Sequence, residues 1–538
     1  MSNKAKGTVL PEQVQAEYRQ ATDYKRQLGS RGLYEQTRIN ERFYSGDQWY
    51  GVNCGDSRPL VRYNVIKRIG DYKMAVVGAQ PVSVRFSAEG LPMTAASRQQ
   101  VESYRGALRQ GQRPDALPAA AAAQAMAAAL TDYFGTTAKR LKLEYLKQQV
   151  LRNAYISGTG VLYTYWDDRI RTGLYADEAC TAPVCGDIAA EVLDIEQVYM
   201  GDPTVEELQA QPYILIAQRR PVAAIQRLAK AHGCRRWAEI RGDEGEEGGH
   251  ATLLTRFWKE WDENGNAVVR GVQICGTVTV REPWELGVRL YPLAAFRWEE
   301  KRHQCYGESE IPFLIPNQIA INRTISAGVW AVMMMGMPMM LVNGDVVTGP
   351  ITNDPGQIIP VYGSGEEVRD AVRYVDPPAF SAQLDQNVQG LIRDTMAQAG
   401  VSTTLLGDIE PHNTSAIIAV REASLMPLTM MQDRFYSFIE DVAKIWAEFW
   451  MAMYGNRGLK IAEEQGTWYM PFDGGLCRNM LLNITAEVGS GDIYSDSRTV
   501  EMLDNLYTHG IINARQYLSR LPRGTVPQLE ALLQEMGE

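Results

Sequence analysis

Apolar residues recur three and four positions apart near both ends of the chain and two apart through its middle. That contrast predicts a helix-rich α+β protein. Pro11 to Tyr44 reads as charged amphipathic helix with a break at Gly29 and Gly32, and it ends at the turn Ser45-Gly46-Asp47. A second helix is expected over Val65–Gly78, stopping before Pro81, and the alternation Val82, Val84, Phe86 then predicts a short strand. Gln112 to Leu130 combines Pro114 and Pro118 with an alanine run, which fits either a helix start or a spacer; Thr131 to Ile156 is helical.

Between Gly160 and Trp298 the period falls toward two. Strands are expected at Val161–Trp166, Ile188–Tyr199, Tyr213–Gln218, Leu253–Trp261 and Val268–Val280. A hairpin turn is expected at Asn264-Gly265, with one helix, Val222–Ala231, interrupting the strands. After Gly307 one long apolar helix runs from Ile311 to about Met337, followed by a turn-rich strand segment from Leu341 to Val375. Phe380, Leu384, Val388, Leu391 and Thr395 share one helical face that Gly400 can cap in the left-handed conformation. The most regular stretch is Ser415–Tyr454, where Leu428, Met431, Phe435, Phe438, Val442, Ile445 and Phe449 alternate three and four apart and Pro427 should kink the helix. One strand, Met480–Val488, and helices near Ser495–His509, Asn513–Arg520 and Val526–Met536 complete the expected elements.

Composition refines this picture. With 538 residues, 45% hydrophobic and 22% charged, the chain can bury more than one core and lacks the signature of disorder. A net charge of -10 argues against binding nucleic acid by broad phosphate neutralisation, so any DNA contact should be loose or local. Seven scattered cysteines without a CxxC pair suit a reducing compartment, and the polar start of the chain has no secretory-signal pattern. The uncharged segment Thr324–Val342 is long enough to raise a membrane-anchored alternative, a single apolar helix at 324–342. Gly336 and Pro338 interrupt it, and a helix buried between subunits would look the same.

Sequence signatures of catalysis are weak. No Walker A loop, GxSxG elbow, HExxH or dinucleotide-binding glycine fingerprint occurs. Cys180 and Cys185 with distant His232 or His250 fit no usual zinc spacing. Asp167-Asp168 and the pair Asp408/Glu410 are carboxylates of a kind that can bind Mg²⁺ or move protons, but a turn and a solvated loop explain them as well.

Several blocks, read in order, resemble the portal, or head-to-tail connector, proteins of tailed bacteriophages. They are Asn40-Glu-Arg-Phe-Tyr-Ser-Gly-Asp-Gln-Trp49 with Pro59 and Asn64-Val-Ile66; Ile156-Ser-Gly-Thr-Gly160; Asp194 with Gly201-Asp-Pro203; and Tyr306-Gly-Glu-Ser309 with Gln318 and Asn322. In the second half, Asn353-Asp-Pro-Gly356 precedes a strand, and then come a helix, a loop and a long kinked helix.

The resemblance covers about Tyr34 to Tyr507 and implies a cyclic ring with a wing at 1–304, a stem helix at 305–337, a clip at 338–376 and a second stem helix at 377–399. A channel loop would occupy 400–414, a long helix and strand would return to the wing over 415–494, and a helical crown would span 495–538, too brief here for a long internal tube. It also implies a non-enzymatic homo-oligomer, a ring of about twelve subunits without cofactor or metal and not in a membrane. That ring would sit at the virion head vertex, assemble in the host cytoplasm and pass double-stranded DNA. Its partners would be the packaging terminase, the head-tail adaptor, and the major capsid and scaffolding proteins. Ser402, Thr403, Thr404, Asp408, Glu410, His412 and Asn413 would face DNA in the channel loop, whereas Asn343, Asp345, Asn353 and Asp354 would meet partners in the clip.

Overall fold

The computed structural model describes residues 10–53, 59–78, 82–88, 95–110, 117, 119–175, 183–243, 249–262, 265–335, 340–347, 360–366, 372–374, 382–401, 414–463, 466–477, 482–488 and 493–518. The fold is mixed α+β, as the two periodicities require. The helices are α1 (Pro11–Gln27), α2 (Leu33–Ser45), α3 (Val65–Gly78), α4 (Ala95–Arg109), α5 (Ala119–Leu141), α6 (Leu143–Ser157), α7 (Val222–Ala231) and α8 (Ile311–Met335), followed by α9 (Ala382–Gln398), α10 (Thr414–Met453), α11 (Gly474–Cys477), α12 (Ile493–Thr508) and α13 (Ala514–Leu518). The chain divides into two compact units. One comprises residues 1–40, 70–310 and 410–538, and the other residues 41–69 and 311–409.

In the larger unit, a three-stranded antiparallel sheet places β2 (Thr159–Tyr175) between β3 (Pro183–Asp194) and β9 (Leu293–Arg297). A five-stranded meander follows chain order: β4 (Val198–Met200), β5 (Tyr213–Pro221), β6 (His250–Trp261), β7 (Ala267–Cys275) and β8 (Val278–Glu285). Strand β1 (Val82–Ala88) pairs with β14 (Leu482–Val488) across some 400 residues of sequence, Phe86 opposite Ile484, while β12 (Asn456–Glu463) and β13 (Gly466–Asp473) form a hairpin.

Helix α10 supplies the spine of this unit's core. All seven positions whose spacing predicted a packed face, from Leu428 to Phe449, are buried. Phe435 and Phe438 stack with ring centroids 5.8 Å apart, and Phe296 of β9 meets Phe435 edge-on at 5.4 Å. A buried polar knot lies at the far end of the same helix. The Asp187 carboxylate accepts from the Tyr454 hydroxyl and from Ile188 N–H at 2.7 Å, and pairs with Arg140 at 3.0 Å. Such a knot is stable because the buried charge has a cation and several donors.

The smaller unit is built on α8 and α9, which pack together. Gly400 closes α9 in the left-handed region (φ +71°), with Val401 N–H returning to Met396 O at 2.8 Å, the cap that its position predicts. Strand β10 (Met340–Val342) pairs antiparallel with β11 (Val372–Tyr374), and Val347 bridges Val361.

Several expectations are corrected. The helix anticipated over Thr131–Ile156 is broken at Lys142, which stands in the left-handed region (φ 53°) between α5 and α6. The strand anticipated over Ile188–Tyr199 is interrupted after Asp194, whose carboxylate accepts from Glu196 N–H and starts a 3₁₀ turn. Val268–Val280 is two strands, not one, and the tail carries the β12–β13 hairpin in addition to the strand expected there. The apolar segment 324–342 is not a single helix: Thr324–Met335 belongs to α8, whereas Met340–Val342 is strand. No helix among the described residues is long and apolar enough to cross a membrane.

Candidate functional site

In the smaller unit, α8 carries an unusual stripe for so apolar a helix. Gln318, Asn322 and Ser326 stand four residues apart on one face, and all three are buried. Buried amides cost several kcal/mol unless satisfied, and these are satisfied by backbone. The Gln318 Oε1 accepts from Val65 and Ile66 N–H at 2.9 and 3.2 Å, while its Nε2 donates to Tyr63 O at 2.6 Å and to Asn322 Oδ1 at 3.1 Å. Asn322 Oδ1 accepts from Tyr63 N–H at 2.9 Å, and its Nδ2 donates to Gln48 Oε1 at 2.7 Å. Ser326 Oγ accepts from Val61 N–H at 3.0 Å.

Residues 61–64 and the first turn of α3 are therefore held on one side by side chains. On their other side the Trp49 indole donates to Val61 O at 3.2 Å, and Asn64 Nδ2 donates to Tyr44 O at 2.9 Å. The blocks Asn40–Trp49, Asn64–Ile66, Gln318 and Asn322, separated by some 250 residues, thus supply the same network.

Within the larger unit the remaining blocks also meet. Gly158 (φ +89°) and Gly307 lie back to back; a Cβ on either would run into the other's carbonyl oxygen. Gly307 N–H donates to Thr159 Oγ1 at 2.9 Å, Ser309 Oγ to Tyr155 O at 2.5 Å, and Asn40 Nδ2 to Ile156 O at 2.7 Å. Tyr306 OH accepts from Met200 N–H at 3.2 Å, and Cys305 N–H donates to Pro203 O at 3.0 Å, which brings in the Gly201-Asp-Pro203 block. Beside this junction Glu310 and Lys73 form an ion pair at 2.7 Å. Burial and the neighbouring Glu310 push the Glu299 carboxyl above the usual carboxylate range.

This arrangement positions chain segments. In each unit the polar groups face one another and hold that unit's own segments together.

The sequence-predicted site residues fall around this framework. Asn343 and Asp345 lie in an exposed turn after β10, where Asn343 Oδ1 accepts from Asp345 N–H at 3.0 Å, so Asn343 shapes the turn itself. Asn353 and Asp354 lie outside the described residues, as do Ser402, Thr403, Thr404, Asp408, Glu410, His412 and Asn413, which fall in sequence between the end of α9 and the start of α10. Asp167 and Asp168 occupy local roles: Asp167 Oδ1 accepts from Arg169 N–H at 3.0 Å, and Asp168 Oδ1 from the Trp166 indole at 2.6 Å. Among the described residues, no group of three His, Cys, Asp or Glu side chains is placed to hold a metal ion.

Sequence reading named Gln48, Gln318 and Asn322 within the resemblance blocks but did not name Ser326 or Lys73. The i, i+4, i+8 spacing of polar residues on an apolar helix was the available signal for Ser326. Lys73 carried none. No protein-family model matches this chain, and no curated protein matches it.

Proposed function

We propose that this chain is a non-enzymatic bacteriophage portal subunit, a protein that closes into a ring through which double-stranded DNA enters and leaves a viral head. The observation that carries the reading is the interlocking of the resemblance-bearing blocks. Short motifs such as Gly-Asp-Pro or Tyr-Gly-x-Ser arise often by chance, yet among the described residues the blocks within each unit meet through specific hydrogen bonds, most of them between a backbone group and a side chain. A shared framework gives that pairing, whereas a scatter of coincidences does not.

The C-terminal half of α8 adds support. Val329, Val332 and Met333 are 38%, 56% and 50% exposed at helical spacing, an apolar face suited to a neighbouring copy in a heterologous, closing interface. A ring of about twelve such chains would carry a net charge of roughly -120, a wall that repels phosphate and lets DNA slide. In this reading Ser402, Thr403, Thr404, Asp408, Glu410, His412 and Asn413 face the DNA without a lysine or arginine to hold it. Asn343, Asp345, Asn353 and Asp354 belong to the clip that meets the packaging terminase and later the head-tail adaptor. Capsid and scaffolding proteins would surround the ring at the head vertex.

The test is electron microscopy of the full-length chain purified without detergent. Rings with a central hole and about twelve-fold symmetry are expected. A particle that needs detergent and has no channel would replace this reading with the membrane-anchored one.

A further inference from the structure

Helix α1 crosses the five-stranded sheet on a single stripe. Val14, Tyr18, Ala21 and Lys25 recur four, three and four residues apart, and Val14 and Ala21 pack on Leu215, Leu254, Val272 and Ile274. Two polar contacts fasten the two ends of this stripe. Toward the N-terminus, Glu17 receives Arg256 Nε at 2.7 Å and Nη2 at 3.1 Å, with both side chains largely buried. Toward the C-terminus, Lys25 is fully buried. Its Nζ donates to Ile195 O at 2.5 Å and Val198 O at 2.7 Å, reaches Glu196 O at 3.3 Å, and lies 3.7 Å from the centre of the Tyr199 ring. Beyond Lys25 the chain turns through Gly29 and Gly32, at φ +71° and +79°, before α2 begins.

We infer that α1 is a releasable clasp over the five-stranded sheet and that Lys25 is its latch. The helix is joined to α2 by a glycine-bearing turn and adds no strand to the sheet it covers. It can therefore lift without breaking a sheet ladder, and lifting exposes an apolar sheet face. This inference does not depend on the portal reading.

The latch is a lysine, so the clasp answers to pH. Burial pushes the Lys25 ammonium down to about 7, against the opposing pull of Asp194 and Glu196. The other groups facing it are the Tyr34, Tyr199 and Tyr306 hydroxyls and the Cys305 thiol, all raised by burial, with Tyr18 and Tyr24 on α1 itself. A released Lys25 returns to about 10.4. Between these values the released helix binds more protons than the seated one, so seating strengthens as pH rises, by up to about tenfold per pH unit. Below about pH 7 both forms are protonated and the dependence ends.

Amide hydrogen exchange of the full chain tests this, read as protection factors so that intrinsic base catalysis is divided out. Between pH 7 and pH 9 the α1 amides should gain at least tenfold in protection relative to those of α6. Lys25→Met should abolish that slope, and Glu17→Gln should lower α1 protection at every pH while keeping it. The proposal fails if wild-type α1 protection is flat over this range, if it moves together with that of α6 at every pH, or if Lys25→Met keeps the slope. Should Lys25→Met fail to fold, the wild-type and Glu17→Gln slopes decide.

Discussion

Lys73 holds Glu310 through both carboxylate oxygens, at 2.7 and 2.8 Å, in a pocket where each side chain is only 9% exposed. The Trp298 indole adds a longer contact to Glu310 at 3.4 Å. Glu310 is the residue just before α8. Removing one partner strands a buried charge, which costs about 3–5 kcal/mol, whereas removing both costs much less. Lys73→Met should therefore lower the thermal midpoint sharply, and Lys73→Met with Glu310→Leu should recover most of the loss. A double mutant no better than Lys73→Met would show that the charge is not what the site needs.

Gln318 makes a separable prediction. Gln318→Leu removes the side chain that bonds Val65 N–H, Ile66 N–H and Tyr63 O, although Val65 N–H and Tyr63 O keep their mutual contact at 3.1 Å, so the loss should be about 1–3 kcal/mol in all. Gln318→Glu keeps the acceptor for both N–H groups but buries a carboxylate against the Tyr63 and Asn322 oxygens, so it should outlast Gln318→Leu only at acidic pH, where the acid is neutral and can donate. Arg323, exposed on the same helix, is the control: Arg323→Ala should stay within about 0.5 kcal/mol. Urea unfolding of the three variants ranks them directly.

These two sites mark the limits of what the sequence reveals. Strong periodicity was legible: the seven α10 positions are all core, and β6, α7 and the long apolar helix fall where their patterns put them. Weak periodicity was not. Helix α4 is polar along most of Ala95–Arg109, and the β12–β13 hairpin is diluted by Gly458 and Pro471, so neither stands out from loop. The break at Lys142 has no glycine or proline to announce it. Lys25 and Lys73 look like any lysine on a charged helix, because what makes them special is carbonyls or a carboxylate supplied from more than 150 residues away. The quoted blocks were visible as words in order, but their pairing is a tertiary fact.

The glycine junction predicts opposite signs for one kind of substitution. Gly158→Ala places a Cβ against the Gly307 carbonyl at a positive φ, combining strain and overpacking worth about 2–5 kcal/mol. Gly135→Ala sits in α5 with open space around it and should gain about 0.5–1 kcal/mol from helix propensity. Thermal melts of the two variants, bracketing the wild type on either side, are the expected result.

The exposed face of α8 separates folding from assembly. Val332 and Met333 are about half exposed in the single chain, so replacing them with charged residues removes little from its own core. In a ring the same positions would be covered by the next copy, where a buried, unpaired charge costs several kcal/mol at each interface. Because a cyclic assembly repeats that interface around its axis, a modest penalty per contact multiplies around the ring. Val332→Asp with Met333→Glu places two like charges on this face, which makes it a sharper variant than one that adds charges of opposite sign. It should keep the wild-type circular dichroism spectrum and thermal midpoint of the dissociated chain while abolishing rings in size-exclusion chromatography with light scattering. Rings that persist at wild-type abundance would remove this face from the subunit interface, and a variant that fails to fold would instead place Val332 and Met333 in the core of the chain.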